Sequence, residues 1–101
     1  MVYQIEISPS AIADIENIYI WLRDEFPAKA DEWYNNLVKA ILSLEKFPSR
    51  CPLALENKDF DRETRQLIYK KHRIIFGVNS DVVQIYRVRH VAQDTLTADD
   101  L

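Results

Sequence analysis

Apolar residues along this chain change their spacing twice, and each change marks a new element. Val2, Gln4 and Glu6 alternate with Tyr3, Ile5 and Ile7, which predicts a short, half-buried strand. Ser8-Pro9 then reads as an N-cap followed by proline at the first helical position. Ala11, Ile15, Ile18 and Leu22 recur at helical spacing, flanked by Ile12, Tyr19 and Phe26, while Asp14, Glu16 and Asp24 fall off that stripe. A helix from about Pro9 to Glu25 follows, broken at Phe26-Pro27. Ala30, Trp33, Leu37, Ala40, Ile41 and Leu44 form the apolar stripe of a second helix, which Pro48 stops after Phe47. The short joint makes the pair an antiparallel helical hairpin over about residues 9–47.

Residues 48–64 show no period and hold two prolines, so they read as a connection of unusual length that either function or packing must fix. The pattern then turns to strands: Arg65 to Tyr69, a turn at Lys70-Lys71, His72 to Asn79, a tight hairpin at Asn79-Ser80-Asp81, and Val82 to His90. The expected fold is a single α+β domain over residues 1–101 in the order β-α-α-β-β-β. An antiparallel sheet, built on a meander over about residues 65–90, packs against the helical hairpin, and the first strand must join it because a lone strand cannot bury itself. Residues 91–101 read as a short acidic tail.

Composition narrows the chemistry. At 48% hydrophobic over 101 residues, the chain can form a core. Gly77 is the sole glycine, so no glycine-rich phosphate loop exists. Cys51 stands alone, which removes an internal disulfide and a cysteine-based zinc site; His72 and His90, the only histidines, lack metal-binding spacing. No metal or cofactor is expected. The start lacks the form of a secretory signal and no window is apolar enough to cross a bilayer, so a cytoplasmic protein with no membrane partner is expected.

Charge alters the picture more. Residues 1–64 carry 7 Lys/Arg against 12 Asp/Glu, whereas residues 65–90 carry 6 basic residues against Asp81 alone, so a net charge of −3 hides a local +5. By simple alternation Val83 and Ile85 share a face with Arg87 and Arg89, giving a face greasy at one end and cationic at the other. Arg65, Arg73, Arg87 and Arg89 fall on three adjacent strands, and their planar forks suit phosphate or carboxylate. They can equally pair with carboxylates of the acidic half at ~0–1 kcal/mol each. That bland reading is strongest for Arg73, which lies between apolar residues.

His90 is chemically fit for general acid–base work, although a strand-end histidine is more often solvated or capping. Tyr69 and Tyr86 could stack on a base, or simply pack across the sheet. Trp21 and Trp33 belong to helix packing or to a partner interface. The serines have no histidine and acid arranged for nucleophilic catalysis.

The run Arg65-Gln66-Leu67-Ile68-Tyr69-Lys70-Lys71-His72-Arg73-Ile74-Ile75-Phe76, followed by Val88-Arg89-His90, resembles the C-terminal half of RelE/ParE-type toxins of bacterial type II toxin–antitoxin modules. The strand entering Ser8-Pro9, the hairpin with Trp21, and Phe47-Pro48 extend that resemblance over nearly the whole chain. It implies a toxin of a plasmid-stabilisation system, bound by a cognate antitoxin in a hetero-oligomer. Two activities are open. A ParE-like branch arrests growth by binding DNA gyrase without catalysis of its own; a RelE-like branch cleaves messenger RNA on the ribosome, here with His90, Arg65 and Arg73 as the catalytic set. Arg65, Arg73, Arg87, Arg89, Tyr69, Tyr86 and Trp21 would then contact target or antitoxin. The residues after His90, Val91-Ala92-Gln93-Asp94, lack the arginine and tyrosine of the nuclease branch, which favours the ParE-like one. A toxin-like domain kept only for interaction is a further reading.

Overall fold

The computed structural model describes residues 2–59 and 62–92, so most of the expected acidic tail lies outside the described residues. The elements are β1 (Gln4–Ile7), α1 (Pro9–Glu25), α2 (Pro27–Leu42), β2 (Arg65–Tyr69), β3 (His72–Asn79) and β4 (Val82–His90), with short 3-10 turns at Ser43–Glu45, Pro48–Arg50 and Asn57–Asp59. One four-stranded sheet has the order β1-β4-β3-β2. The β2–β3–β4 meander is antiparallel as expected. The sheet as a whole is mixed, because β1 runs parallel to β4, with Gln4 opposite Val82 and Ile7 opposite Ile85. The hairpin and the meander between the two strands are long enough to carry the chain back to the same end of the sheet, which a parallel pair requires.

Local chemistry sets the element ends. The Ser8 hydroxyl accepts a hydrogen bond from the Ala11 N–H at 3.0 Å and donates to the Tyr86 carbonyl at 2.8 Å, so the N-cap of α1 also fastens the helix to β4. Phe26, at φ −140°, leaves the helical region and serves both helices as a joint, with Pro27 opening α2. Phe47 adopts φ 50° just before Pro48 and turns the chain out of the hairpin.

The core lies between hairpin and sheet. Ala11 and Ile15 of α1, with Trp33, Leu37 and Ile41 of α2, meet Ile74, Phe76, Val83, Ile85 and Val88 of the sheet. Each large aliphatic or aromatic side chain here contributes about 1.5–3 kcal/mol.

One irregularity repositions the basic end of β4. Ile75 pairs with Arg87, but Phe76 pairs with Ile85, so Tyr86 is an extra residue, a β-bulge. The inward series therefore runs Val83, Ile85, Val88, with a step of three where alternation gives two. This corrects the expectation that Arg87 and Arg89 continue the face of Val83 and Ile85: Val88 does. At the bulge the Tyr86 ring closes over Gly77, and a Cβ on Gly77 would collide with the Tyr86 hydroxyl and stand 2.9 Å from its Cζ. Arg62 stacks on the same ring at 4.4 Å.

The long connection is held by packing. Leu53 bridges to Arg65, the Gln66 N–H donates to the Pro52 carbonyl at 3.0 Å, and the Thr64 N–H donates to Asn57 Oδ1 at 2.8 Å. Glu56 and Thr64 are fully buried. Among the described residues, no helix is long and apolar enough to cross a membrane.

Candidate partner-binding groove

Most of the arginines singled out from sequence are tied inside the molecule. Arg73 is 4% exposed, and its guanidinium grips buried Glu56 in a fork, Nη1 to Oε1 at 3.1 Å and Nη2 to Oε2 at 2.5 Å. Nη1 also donates to Gln66 Oε1 at 2.8 Å. Arg65 donates from Nε to Glu63 at 2.9 Å and from Nη1 to the Cys51 carbonyl at 2.6 Å, bracing the connection against β2. Arg87 forms a second fork with Asp14 of α1, at 2.7 and 2.9 Å. Asp14 also accepts the Val88 N–H at 3.0 Å, so this carboxylate stands where a longer β1 would have paired with β4. Arg89 faces Arg73 in register across β3 and β4.

The chemistry left exposed gathers elsewhere, at the open end of the β3–β4 pair. A groove of about 660 Å³ runs between α1 and that end. Ile18, Trp21, Leu22 and Phe26 form its apolar wall, Asn17 adds an amide, and Lys71, His72 and His90 form the opposite wall. Trp21 and Phe26 meet edge to face at 5.8 Å and are 56% and 51% exposed, unusually open for such large side chains.

Register brings the two histidines together: His72 pairs with His90, and their rings meet edge to face at 5.4 Å. Trp33 of α2 closes on the other side of His72 at the same centroid distance of 5.4 Å. Burial, with a smaller contribution from His90, lowers the His72 pKa below its ordinary value of 6.5. His90 Nδ1 accepts the Ala92 N–H at 3.0 Å, the capping role expected of a strand-end histidine. Around His72, three buried polar atoms lack a hydrogen-bond partner among the described residues: His72 Nδ1, Trp33 Nε1 and the hydroxyl of Tyr69, which pairs with His72 across β2 and β3. Such atoms cost about 1–3 kcal/mol each when left unmatched. Among the described residues, no cluster of three or more metal-ligating side chains exists.

Thus Trp21 and His90 of the sequence-predicted set line one groove, Tyr69 pairs with His72 of that groove across β2 and β3, and Tyr86 belongs to the bulge on another part of β4. Sequence reasoning missed His72, Phe26 and Glu56 as participants. For His72 and His90 only a partial signal existed: the turn at Ser80-Asp81 brings the start of β3 near the end of β4, but by simple alternation it sets His72 opposite Arg89, and the Tyr86 bulge moves it opposite His90.

A family model described as the ParE toxin of the type II toxin-antitoxin system, parDE, matches residues 5–95. The chain belongs to the ParE toxin family. Among solved structures, this ParE-family chain is similar to one in the chromosomal ParDE toxin–antitoxin system from P. aeruginosa, with 19% identity, a TM-score of 0.75, and 88% of this chain and 96% of that one covered. It is also similar to a chain in the toxin–antitoxin complex RelBE2 from Mycobacterium tuberculosis, at 18% identity and a TM-score of 0.62, covering 89% and 99%. At these identities the two likenesses establish a shared fold. No curated protein sequence matches the ParE-family chain closely.

Proposed function

We propose that this ParE-family toxin is neutralised by a cognate antitoxin, that it arrests growth by binding DNA gyrase rather than by cutting RNA, and that it acts in a plasmid-stabilisation system. The observation that carries the choice of target is the burial of Arg73 against Glu56. Phosphodiester cleavage needs cations free to stabilise charge developing on the phosphate. To serve there, Arg73 would have to leave a buried carboxylate, and breaking such a pair costs about 3–5 kcal/mol, enough to offset most of what one cationic stabiliser supplies. Arg65, pinned to Glu63 and the Cys51 carbonyl, is similarly engaged. Of the nuclease set, His90 lines the groove between α1 and the β3–β4 end, and neither Arg65 nor Arg73 does.

That groove suits a macromolecular surface. Trp21 and Phe26 are the kind of large, exposed aromatic anchors that dominate binding energy at interfaces. An antitoxin segment with an apolar ridge against them and acidic residues toward Lys71 would match both walls. The ParDE and RelBE2 systems are themselves toxin–antitoxin pairs, which supports an antitoxin as the partner.

A second reading has its own observation. His72 and His90 in edge contact, beside Lys71, could form an acid–base pair for attack of a 2′-hydroxyl on the adjacent phosphate. Purified protein assayed for gyrase supercoiling and for ribosome-dependent messenger RNA cleavage separates the two. The gyrase reading expects supercoiling to fail while RNA stays intact, and Trp21→Glu to abolish antitoxin binding. Intact supercoiling with cleaved RNA, lost in His90→Ala, overturns it.

A further inference from the structure

Away from the groove, β1 is an edge strand whose only strand partner among the described residues is β4. The N–H groups of Gln4 and Ser8 donate inward, to the carbonyls of Asp81 and Ile85. Alternation therefore turns the N–H and C=O of Tyr3, Ile5 and Ile7 outward. The Tyr3 N–H is taken by the Glu45 carbonyl at 2.9 Å, which leaves Ile5 and Ile7 with no strand beside them among the described residues.

Directly alongside lies an apolar groove of about 250 Å³, with Ile5, Ile7, Ile12, Tyr34 and Leu42 among its lining residues. Four of these five are 38–48% exposed, so the groove is open to water. Acidic side chains flank it: Glu16 lines it, and Glu6 projects from the same strand on the opposite sheet face, beside Gln84. Residues 2–47, which build this whole side of the molecule, carry 4 Lys/Arg and 8 Asp/Glu.

We infer that the outer edge of β1 is a strand-addition site for an extended segment of a partner protein in which apolar residues alternate with lysine or arginine. Backbone pairing with Ile5 and Ile7 supplies the ladder. Period-two geometry sends every second side chain into the apolar groove, at whose rim Glu16 can meet a basic neighbour, and the intervening ones to the opposite face, toward Glu6. A second copy of this chain is the poorer occupant: a symmetric antiparallel pairing of two β1 edges centred on Glu6 sets the two Glu6 side chains directly opposite, and like charges directly opposite destabilise a sheet. The surface is distinct from the Trp21 groove, and its occupancy does not depend on the toxin's target.

The test is amide hydrogen exchange, read residue by residue by NMR, on the whole protein with a synthetic acetylated peptide of alternating lysine and valine. The expected result is at least tenfold slower exchange at Ile5 and Ile7 with peptide present, and no such change with a peptide of alternating glutamate and valine. A Glu6→Lys/Glu16→Lys variant, both positions exposed, is expected to reverse that preference. The inference is overturned if neither amide slows, if both peptides protect equally, or if protection grows with protein concentration alone while sedimentation shows a dimer. Because the readout is exchange at two named amides, failure here leaves the growth-arrest reading untouched, and failure of that reading leaves this one standing.

Discussion

Replacing Glu56 by glutamine removes one charge and almost no volume, and so isolates what the buried carboxylate does. The fork to Arg73 has both partners essentially out of water, at 5% and 0% side-chain exposure. Removing one member of such a pair strands the other charge in a low-dielectric site, at about 3–5 kcal/mol. One interaction works against the upper end of that range: Arg73 keeps its hydrogen bond to Gln66 at 2.8 Å. One works toward it: Arg89 lies opposite Arg73 in register, so a second basic residue neighbours the guanidinium that loses its carboxylate. A loss of about 3 kcal/mol is expected, a large share of the roughly 5–15 kcal/mol that holds a domain together. In urea titrations followed by circular dichroism, the midpoint should fall with an unchanged m-value, and the melting temperature should drop by about 12–24 °C. Glu56→Leu combined with Arg73→Met should recover most of the loss, since an apolar pair of similar volume does not need its charge compensated. A Glu56→Gln protein within about 1 kcal/mol of the parent would refute the reasoning. It would mean that Arg73 reaches water in solution, and the case against a phosphate-binding role for it would fall as well.

Gly77→Ala should cost about 1–3 kcal/mol through collision with the Tyr86 ring, and Tyr86→Ala in the same chain should restore most of it, as measured by denaturant midpoints. Ser8→Ala removes the α1 cap and the tie to the Tyr86 carbonyl, so a loss of about 1–2 kcal/mol is expected by the same measurement. His72 imposes a pH dependence whose sign follows from its lowered pKa. The unfolded chain takes up the proton first, so stability contributed by the neutral ring is present above 6.5 and drains away as pH falls below it, until folded His72 protonates too. Urea midpoints between about pH 7.5 and pH 5 should show this slope, and His72→Asn should flatten it.

Element order and most boundaries were legible from period and punctuation: Ser8-Pro9, Phe26-Pro27 and Pro48 each mark an element end or the turn out of the hairpin. Such signals are local, carried by a cap, a ring or an alternation. What escaped was set by partners distant in sequence. The bulge at Tyr86 leaves no mark in β4 alone; it shows only in the pairing with β3, and it decides which of Val88 and Arg87 continues the core face. Arg73 read as a structural cation, but its partner Glu56 sits in an aperiodic connection where no pattern selects one carboxylate from several. The parallel sense of β1 likewise depends on where the chain returns, not on the residues of β1 itself.

That parallel pairing has a consequence for how the protein is made. Gln4 and Val82 are 78 residues apart, yet they open the ladder that closes the sheet. At roughly 5–20 residues per second, the first strand leaves the ribosome between about 4 and 16 seconds before the strand it must join exists. The helices can form in that interval, but the sheet beneath them cannot be completed until β4 has emerged. Folding of this chain is therefore tied to the emergence of β4, and a prematurely stopped copy lacking β4 would leave β1 and the Asp14 carboxylate without the strand they both hold.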